Sequence, residues 1–352
     1  MTALCDHDIT SLTAELHSLG HNPIHAPRLL REYYGAGGRL SVDQLPVARS
    51  LREDLLRPNR LMRSKILSRR ESSDGTVKLL IGFTDGHSVE SVLMPSHRPD
   101  RSAGCVSSQV GCAMGCDFCA STRGGLARNL DASEIVEQFL HLRNESLRQN
   151  RRLASLVFMG MGEPMHNLDA VIPAIRRIAD PRMGALGWRH VTVSTVGIVP
   201  GIERLAESGL GVHLAVSLHA PDDETRQRLV PTAKRYSVAE ILDAARRYQE
   251  QSGRITTIEY CLLSCINDSA MQAKQLAELL HGFRAHVNLI PHNPIGAGLS
   301  GIEYARPTED AVRTFARVLE DHGAVVHIRR PRGDDVNAAC GQLREQFVQI
   351  GI

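Results

Sequence analysis

Four of the chain's eight cysteines fall within CVSSQVGCAMGCDFC, from Cys105 to Cys119. Three of them, Cys112, Cys116 and Cys119, follow a C-x3-C-x2-C spacing, with Gly111 and Gly115 among them and Phe118 directly before the last. Thiolates bind iron and zinc, and a closed structural site takes four protein ligands. Three clustered thiols predict a metal centre with one position open to something else. A zinc knuckle borrowing a distant fourth ligand is the plainer alternative. The other cysteines are Cys5, Cys261, Cys265 and Cys340. By themselves Cys340 reads as a buried cysteine, Cys261 and Cys265 as packing residues, and Cys5 as incidental. Glu90, inside Ser-Val-Glu-Ser-Val, reads as a surface glutamate on a strand.

The elements that must position these residues are legible in the apolar pattern. Residues 1–60 carry three helical stretches broken by Gly and Pro, a small accessory domain. Residues 61–97 form a linker in which TVKLLIGFTDGHSVESVLMP reads as a hairpin turning at Asp85-Gly86. From 98 to 345 strand and helix signals alternate, with strands expected near Cys105 and at 155–159, 190–195, 212–218, 255–262, 286–290 and 325–328. Asp131-x-x-Glu134, Ser237-x-x-Glu240 and Thr308 mark helix starts, and Gly253 and Gly323 mark stops. The fold class is α/β, a partial, open (β/α)6 TIM-like barrel with an N-terminal helical domain and a hairpin linker. Ligands collect at the carboxyl ends of such strands. Gly160 to Glu163, Ser194, Thr195, Ser217 to His219 and Asn293 all fall there.

Composition is that of an ordinary globular protein, with 4 % aromatics and a net charge of +2. No signal peptide or long apolar run is present, so a cytoplasmic protein without a membrane partner is expected. Four of the 41 basic residues are lysines, Lys65, Lys78, Lys234 and Lys274. The run RLMRSKILSRR, residues 60–70, is either a solvated face or an RNA-facing patch.

The cysteine motif with its preceding aromatic resembles that of the radical S-adenosylmethionine superfamily. Together with MGMGEP at 159–164, VSTVGIVP at 193–200, SLHAPDDETR at 217–226, VNLIPHNP at 287–294 and GDDVNAACGQL at 333–343, it closely resembles the RlmN/Cfr family of rRNA methyltransferases. The resemblance implies one [4Fe–4S] cluster on Cys112, Cys116 and Cys119, with Phe118 against the adenine of S-adenosylmethionine. Two molecules of S-adenosylmethionine would serve each turnover. It implies that Cys340 carries a methyl group, that this group becomes a radical and adds to adenine, and that Cys105 resolves the covalent protein–RNA adduct. Glu90 would accept the proton. Gly162, Glu163, Ser194, Ser217, Leu218, His219 and Asn293 would contact S-adenosylmethionine. A disulfide bond, a 23S rRNA substrate with tRNA as a second, a monomeric state and an electron donor such as flavodoxin are also implied. The expected product is methylation at adenosine C2; a C8 enzyme, a radical enzyme with a non-RNA substrate and a noncatalytic zinc protein are the alternatives. His292 and Asn337 depart from common residues of the family without removing a reactive group.

Overall fold

The computed structural model describes residues 1–330 and 332–343. Helices α1 (Ile9–Ser18), α2 (Ala26–Gly35) and α3 (Arg49–Leu56) come first. The third helical stretch is broken at Pro46: a 3-10 turn over Val42–Gln44 precedes α3, because proline lacks an amide donor. These helices bury Leu12, Leu16, Leu29, Tyr33, Tyr34 and Leu51 in a core shared with the barrel helices.

Strands β1 (Lys65–Glu71), β2 (Val77–Gly82), β3 (Ser88–Pro95) and β4 (Arg101–Cys105) then pair antiparallel in sequence. The Asp85-Gly86 turn joins β2 to β3, as its composition predicts, and Gly86 has φ +87°. A short ribbon, β5 (Gln109–Gly111) with β6 (Leu126–Asn129), brackets the three cysteines.

The βα units follow: α4 (Ala132–Arg148), β7 (Arg152–Phe158), α5 (Leu168–Ala179), β8 (Val191–Thr195), α6 (Val199–Glu207), β9 (His213–Ser217), α7 (Asp223–Leu229), α8 (Val238–Ser252), β10 (Thr256–Leu262), α9 (Ala270–Leu279), β11 (Ala285–Pro291), α10 (Glu309–Asp321) and β12 (Val325–Ile328). All the main strands join one ten-stranded sheet, ordered β1-β2-β3-β4-β7-β8-β9-β10-β11-β12. It is parallel from β4 onward, so six βα units and a final strand make a partial barrel. Among the described residues nothing pairs β12 back to β1. The expected end of the core at 345 lies outside the described residues.

Local chemistry fixes the helix ends that aim these strands. Asp131 and Glu134 form a capping box on α4, Ser237 and Glu240 another on α8, and Gly253 closes α8 in the left-handed conformation. Thr308 caps α10 through the amide of Ala311. No helix among the described residues is long and apolar enough to cross a membrane.

Candidate active site

The three spaced cysteines occupy the loop between β5 and β6. Gly111 sets its start with φ +76°; a Cβ there would lie 2.0 Å from the Gly125 carbonyl oxygen, so only glycine fits. The Cys112 amide donates to that same carbonyl at 2.8 Å, and Thr122 Oγ1 donates to the carbonyls of Cys119 at 2.9 Å and Cys116 at 3.3 Å. Asp117, between two of the cysteines, is buried and ties the loop to a distant strap. It accepts from the Ser300 amide at 2.7 Å, from Ser300 Oγ at 2.5 Å and from the Tyr304 hydroxyl at 2.7 Å.

Around the thiols lies an apolar shell of Met114, Phe118, Leu229, Val230, Leu263 and Tyr304. Burial pushes Cys112 up to about 12 and Cys116 well above the ordinary thiol range; the charge of Cys119 raises both further, and that of Cys112 raises Cys116. Thiols so costly to ionise alone fit a polycationic group, whose charge offsets the desolvation. Among the described residues no three His, Cys, Asp or Glu side chains converge on a point that one metal ion could fill. A multi-iron cluster spreads its thiolates over separate atoms, so this donor set fits it.

The expected cofactor contacts line the adjoining strand ends. Glu163 follows β7; its Oε1 accepts from the Met165 amide at 3.0 Å and its Oε2 from the Val196 amide at 2.9 Å. Burial nonetheless raises this carboxyl to about 7. Gly162 precedes it with φ +98°. Ser194 and Ser217, ending neighbouring strands, lie with their hydroxyls 3.3 Å apart. Leu218 is buried, and its amide donates to the Glu259 carbonyl at 3.0 Å. His219 packs edge-on to Phe118, ring centroids 4.8 Å apart. Its Nδ1 accepts from the Cys261 amide at 3.0 Å, and burial lowers its pKa to about 3, so the ring is neutral with its proton on Nε2. Asn293 donates to the Cys340 carbonyl at 3.2 Å, while its buried Oδ1 has no partner among the described residues. An orphaned acceptor there suits a ligand donor.

The segment carrying Cys340 reaches the cysteine loop. Ala120 N–H donates to the Gly341 carbonyl at 2.7 Å and Ser121 Oγ to the Leu343 carbonyl at 2.5 Å. Cys340, read by itself as a buried cysteine, is exposed on this segment, and desolvation of its thiol raises its pKa, with Glu259 adding to the rise and Arg329 opposing it. Cys105, at the end of β4, is buried and raised to about 12, first by desolvation and then by the charge of Cys340. The charge of Cys340 is thus felt at Cys105 although more than two hundred residues separate them in the sequence. All eight cysteines are free, so the expected disulfide is absent; Cys105 and Cys340 both stand as thiols.

Glu90 corrects its reading as a surface residue. Its strand lies inside the sheet between β2 and β4, and the side chain is buried, 2.9 Å from the Lys78 ammonium. Cys265 is likewise no packing residue, being exposed in the loop after β10 with φ +60°. Cys261 is buried in the wall of the site, and Cys5 is buried beside Glu137 at 3.1 Å. Of the run from 60 to 70, Arg63 pairs with Asp6 and Arg69 with Glu145 and Glu71, so part of it serves the fold.

A radical SAM superfamily model matches residues 106–276. A probable dual-specificity RNA methyltransferase RlmN 1 of Opitutus terrae is 49 % identical, covering 99 % of both chains. A dual-specificity RNA methyltransferase RlmN of Syntrophobacter fumaroxidans is 41 % identical over 99 % of this chain and 100 % of its own. The crystal structure of a radical SAM methyltransferase from Sphaerobacter thermophilus superposes with a TM-score of 0.90 at 39 % identity, covering 97 % of this chain and 99 % of that one. The chain belongs to the RlmN family of radical SAM RNA methyltransferases.

Within this RlmN-family fold, sequence reasoning passed over two buried charges. Arg226 is almost wholly buried; it donates to the carbonyl of Leu218 at 3.1 Å and to that of Val196, joining the ends of β8 and β9, and burial lowers its pKa to about 10. It lies in SLHAPDDETR, where seven intervening positions hide what it bridges. Lys78 is the other. Its signal was a lysine within an apolar strand of an arginine-rich chain.

Proposed function

We propose that this enzyme methylates C2 of an adenosine in 23S rRNA, and of tRNA as a second substrate, through a methylated Cys340 and a covalent protein–RNA adduct. The observation that carries this reading is the docking of the Cys340 segment on the loop of Cys112, Cys116 and Cys119, through Ala120 and Ser121, with the charge of Cys340 felt at Cys105. A radical enzyme acting on a small molecule or protein has no need of the two additional thiols. The relatives' dual specificity accords with two classes of RNA.

When bound, the cluster with S-adenosylmethionine supplies a methyl group and the one-electron chemistry that makes a methyl hydrogen removable. The chain's own groups do the rest. Glu163 receives the ammonium of S-adenosylmethionine, Ser194, Ser217, Leu218 and His219 line its other polar parts, and Asn293 offers its unpartnered oxygen. Cys340 carries the carbon that is transferred. A covalent carrier is required because an adenine ring carbon is electrophilic and does not attack a sulfonium methyl. Glu90 takes the proton that leaves the adenine carbon; Cys105 then attacks the Cys340 sulfur as a thiolate, the S–C bond to the transferred carbon breaks as a Cys105–Cys340 S–S bond forms, and that carbon takes up a proton to remain on the base as a methyl group.

Nucleoside mass spectrometry tests the regiochemistry. Loss of 2-methyladenosine from rRNA on deletion of the gene, where it is the sole such gene, is expected; its persistence, or loss of 8-methyladenosine instead, refutes the C2 reading. Intact-mass analysis after anaerobic reconstitution should find one methyl on Cys340.

A further inference from the structure

Lysine is scarce in this chain, and Lys78 is the one that is buried, on β2. The strand register places Lys78 opposite Val92 and Val92 opposite Cys105. Directly opposed residues of antiparallel strands project to the same face, and Glu90, two residues before Val92, shares it. Lys78, Glu90 and Cys105 therefore line one face of the sheet. The Lys78 Nζ lies 2.9 Å from Glu90 Oε1 and donates to the carbonyl of Asn337 at 3.0 Å, three residues before Cys340.

The same hairpin grips that segment upstream. Gly333 N–H donates to Asp74 at 3.1 Å, and Ser73 N–H to Asp335 at 3.1 Å. At Gly333 a Cβ would stand 2.8 Å from Ala338 Cβ and 2.9 Å from Thr76 Cγ2, so the segment lies flush against the turn. One ammonium thus touches the side chain of the proton acceptor and the backbone of the segment that bears the methyl carrier.

We propose that Lys78 is a positioning residue for adduct release, fixing the Glu90 carboxylate against the Cys340 segment. This rests on the reading of Glu90 as proton acceptor. The proton on the adenine carbon passes to Glu90; Lys78 transfers none. Loading of the methyl onto Cys340 precedes that step and does not use Glu90. Loss of Lys78 therefore separates two steps that a general structural defect would impair together. An arginine keeps the charge but presents a planar fork, so it restores the geometry only in part.

The test uses the reconstituted full-length enzyme, a transcribed 23S rRNA fragment and single-turnover conditions, comparing Lys78→Met, Lys78→Arg and Glu90→Gln. Intact mass reads methyl on Cys340, a denaturing gel reads protein crosslinked to RNA, and nucleoside analysis reads product. Lys78→Met should load methyl within about twofold of the parent, form product about tenfold more slowly or worse, and accumulate crosslink as Glu90→Gln does. Lys78→Arg should fall between, and Lys78→Met with Glu90→Gln should be no worse than Glu90→Gln alone. Product release at the parent rate in Lys78→Met, or loss of methyl loading without accumulated crosslink, overturns the proposal. Should Lys78→Met fail to fold, Lys78→Gln carries the same expectation and the same refuting outcomes. If Glu90→Gln traps crosslink and Lys78→Met does not, the role of Lys78 alone fails. If Glu90→Gln releases product normally, the reading of Glu90 fails first and takes the proposal with it.

Discussion

Between Gly111 and Thr122 the loop is held by its own bonds, Cys112 to Gly125, Cys119 to Cys116 and Thr122 to two cysteine carbonyls, and by anchors from farther off at Leu229, Thr232, Ser300 and Tyr304, inside an apolar shell. From Gly333 to Leu343 the chain has one 3-10 turn, Asp334–Val336, and borrows its place from Asp74, Lys78, Ala120, Ser121 and Asn293. Both regions carry thiols, and they touch through Ala120 and Ser121. The first supplies much of its own bonding, whereas the second, beyond its own turns, is docked by three other parts of the fold: the β1–β2 hairpin, the cysteine loop and Asn293 after β11. On the proposed mechanism Cys340 meets a cofactor, a base and a second thiol in turn, and docking from several sides serves that.

The largest effect should come from breaking the local loop. Cys116→Ala should abolish the brown colour of anaerobically purified protein and bring methylation to background, read by absorption, iron content and product assay. A colourless parent protein that still methylates RNA would refute the cluster assignment. Cys105→Ala attacks the docked side instead. It should leave the cluster intact and accumulate protein crosslinked to RNA through Cys340, with product reduced by about a hundredfold or more. Normal methylation without crosslink would reject the resolving role and with it the functional link between the two regions.

This contrast also explains what the sequence discloses. The spacing of Cys112, Cys116 and Cys119, the capping boxes at Asp131 and Ser237, and the six strands after Cys105 are local signals, and they match the structure to within a few residues. The bond from Tyr304 to Asp117 spans 187 positions, and that from Lys78 to Asn337 spans 259. No periodicity encodes such pairs. Glu90 misleads for a related reason: an alternating strand reads as half-exposed, yet α4 packs on one face of β3, through Gln138 at Ser91, while Lys78 and the segment at Asn337 occupy the face of Glu90. Cys340 became interpretable only through the blocks of the family pattern, because a cysteine between alanine and glycine has no local signature.

A subtler test concerns how the site receives its charged ligand. Burial holds the Glu163 carboxyl at about 7, so below that pH it is neutral and must lose a proton before pairing with an ammonium. Affinity for S-adenosylmethionine should rise about tenfold per pH unit up to about 7 and level off above it. Equilibrium binding to the cluster-loaded enzyme between pH 5.5 and 8.5 reads this directly. In Glu163→Gln the slope should vanish; an unchanged slope would assign the titration to another group.

The smallest expected effect sharpens the division between the cysteine loop's own bonds and its distant anchors, of which the Asp117 carboxylate gathers three. Tyr304→Phe removes one hydroxyl donor to the Asp117 carboxylate and leaves the two bonds from Ser300. A hydrogen bond to a charged group contributes about 1.5–3 kcal/mol, and the remaining donors and water compensate in part, so a loss of about 1 kcal/mol is expected in chemical denaturation. Asp117→Asn should cost more, and the two changes together should be less than additive, because both act through one carboxylate. Cluster content should stay near that of the parent in Tyr304→Phe. If it instead collapses with a change of this size, the strap through Tyr304 and Ser300 sets the cysteine geometry, and the loop is docked from a distance much as the Cys340 segment is.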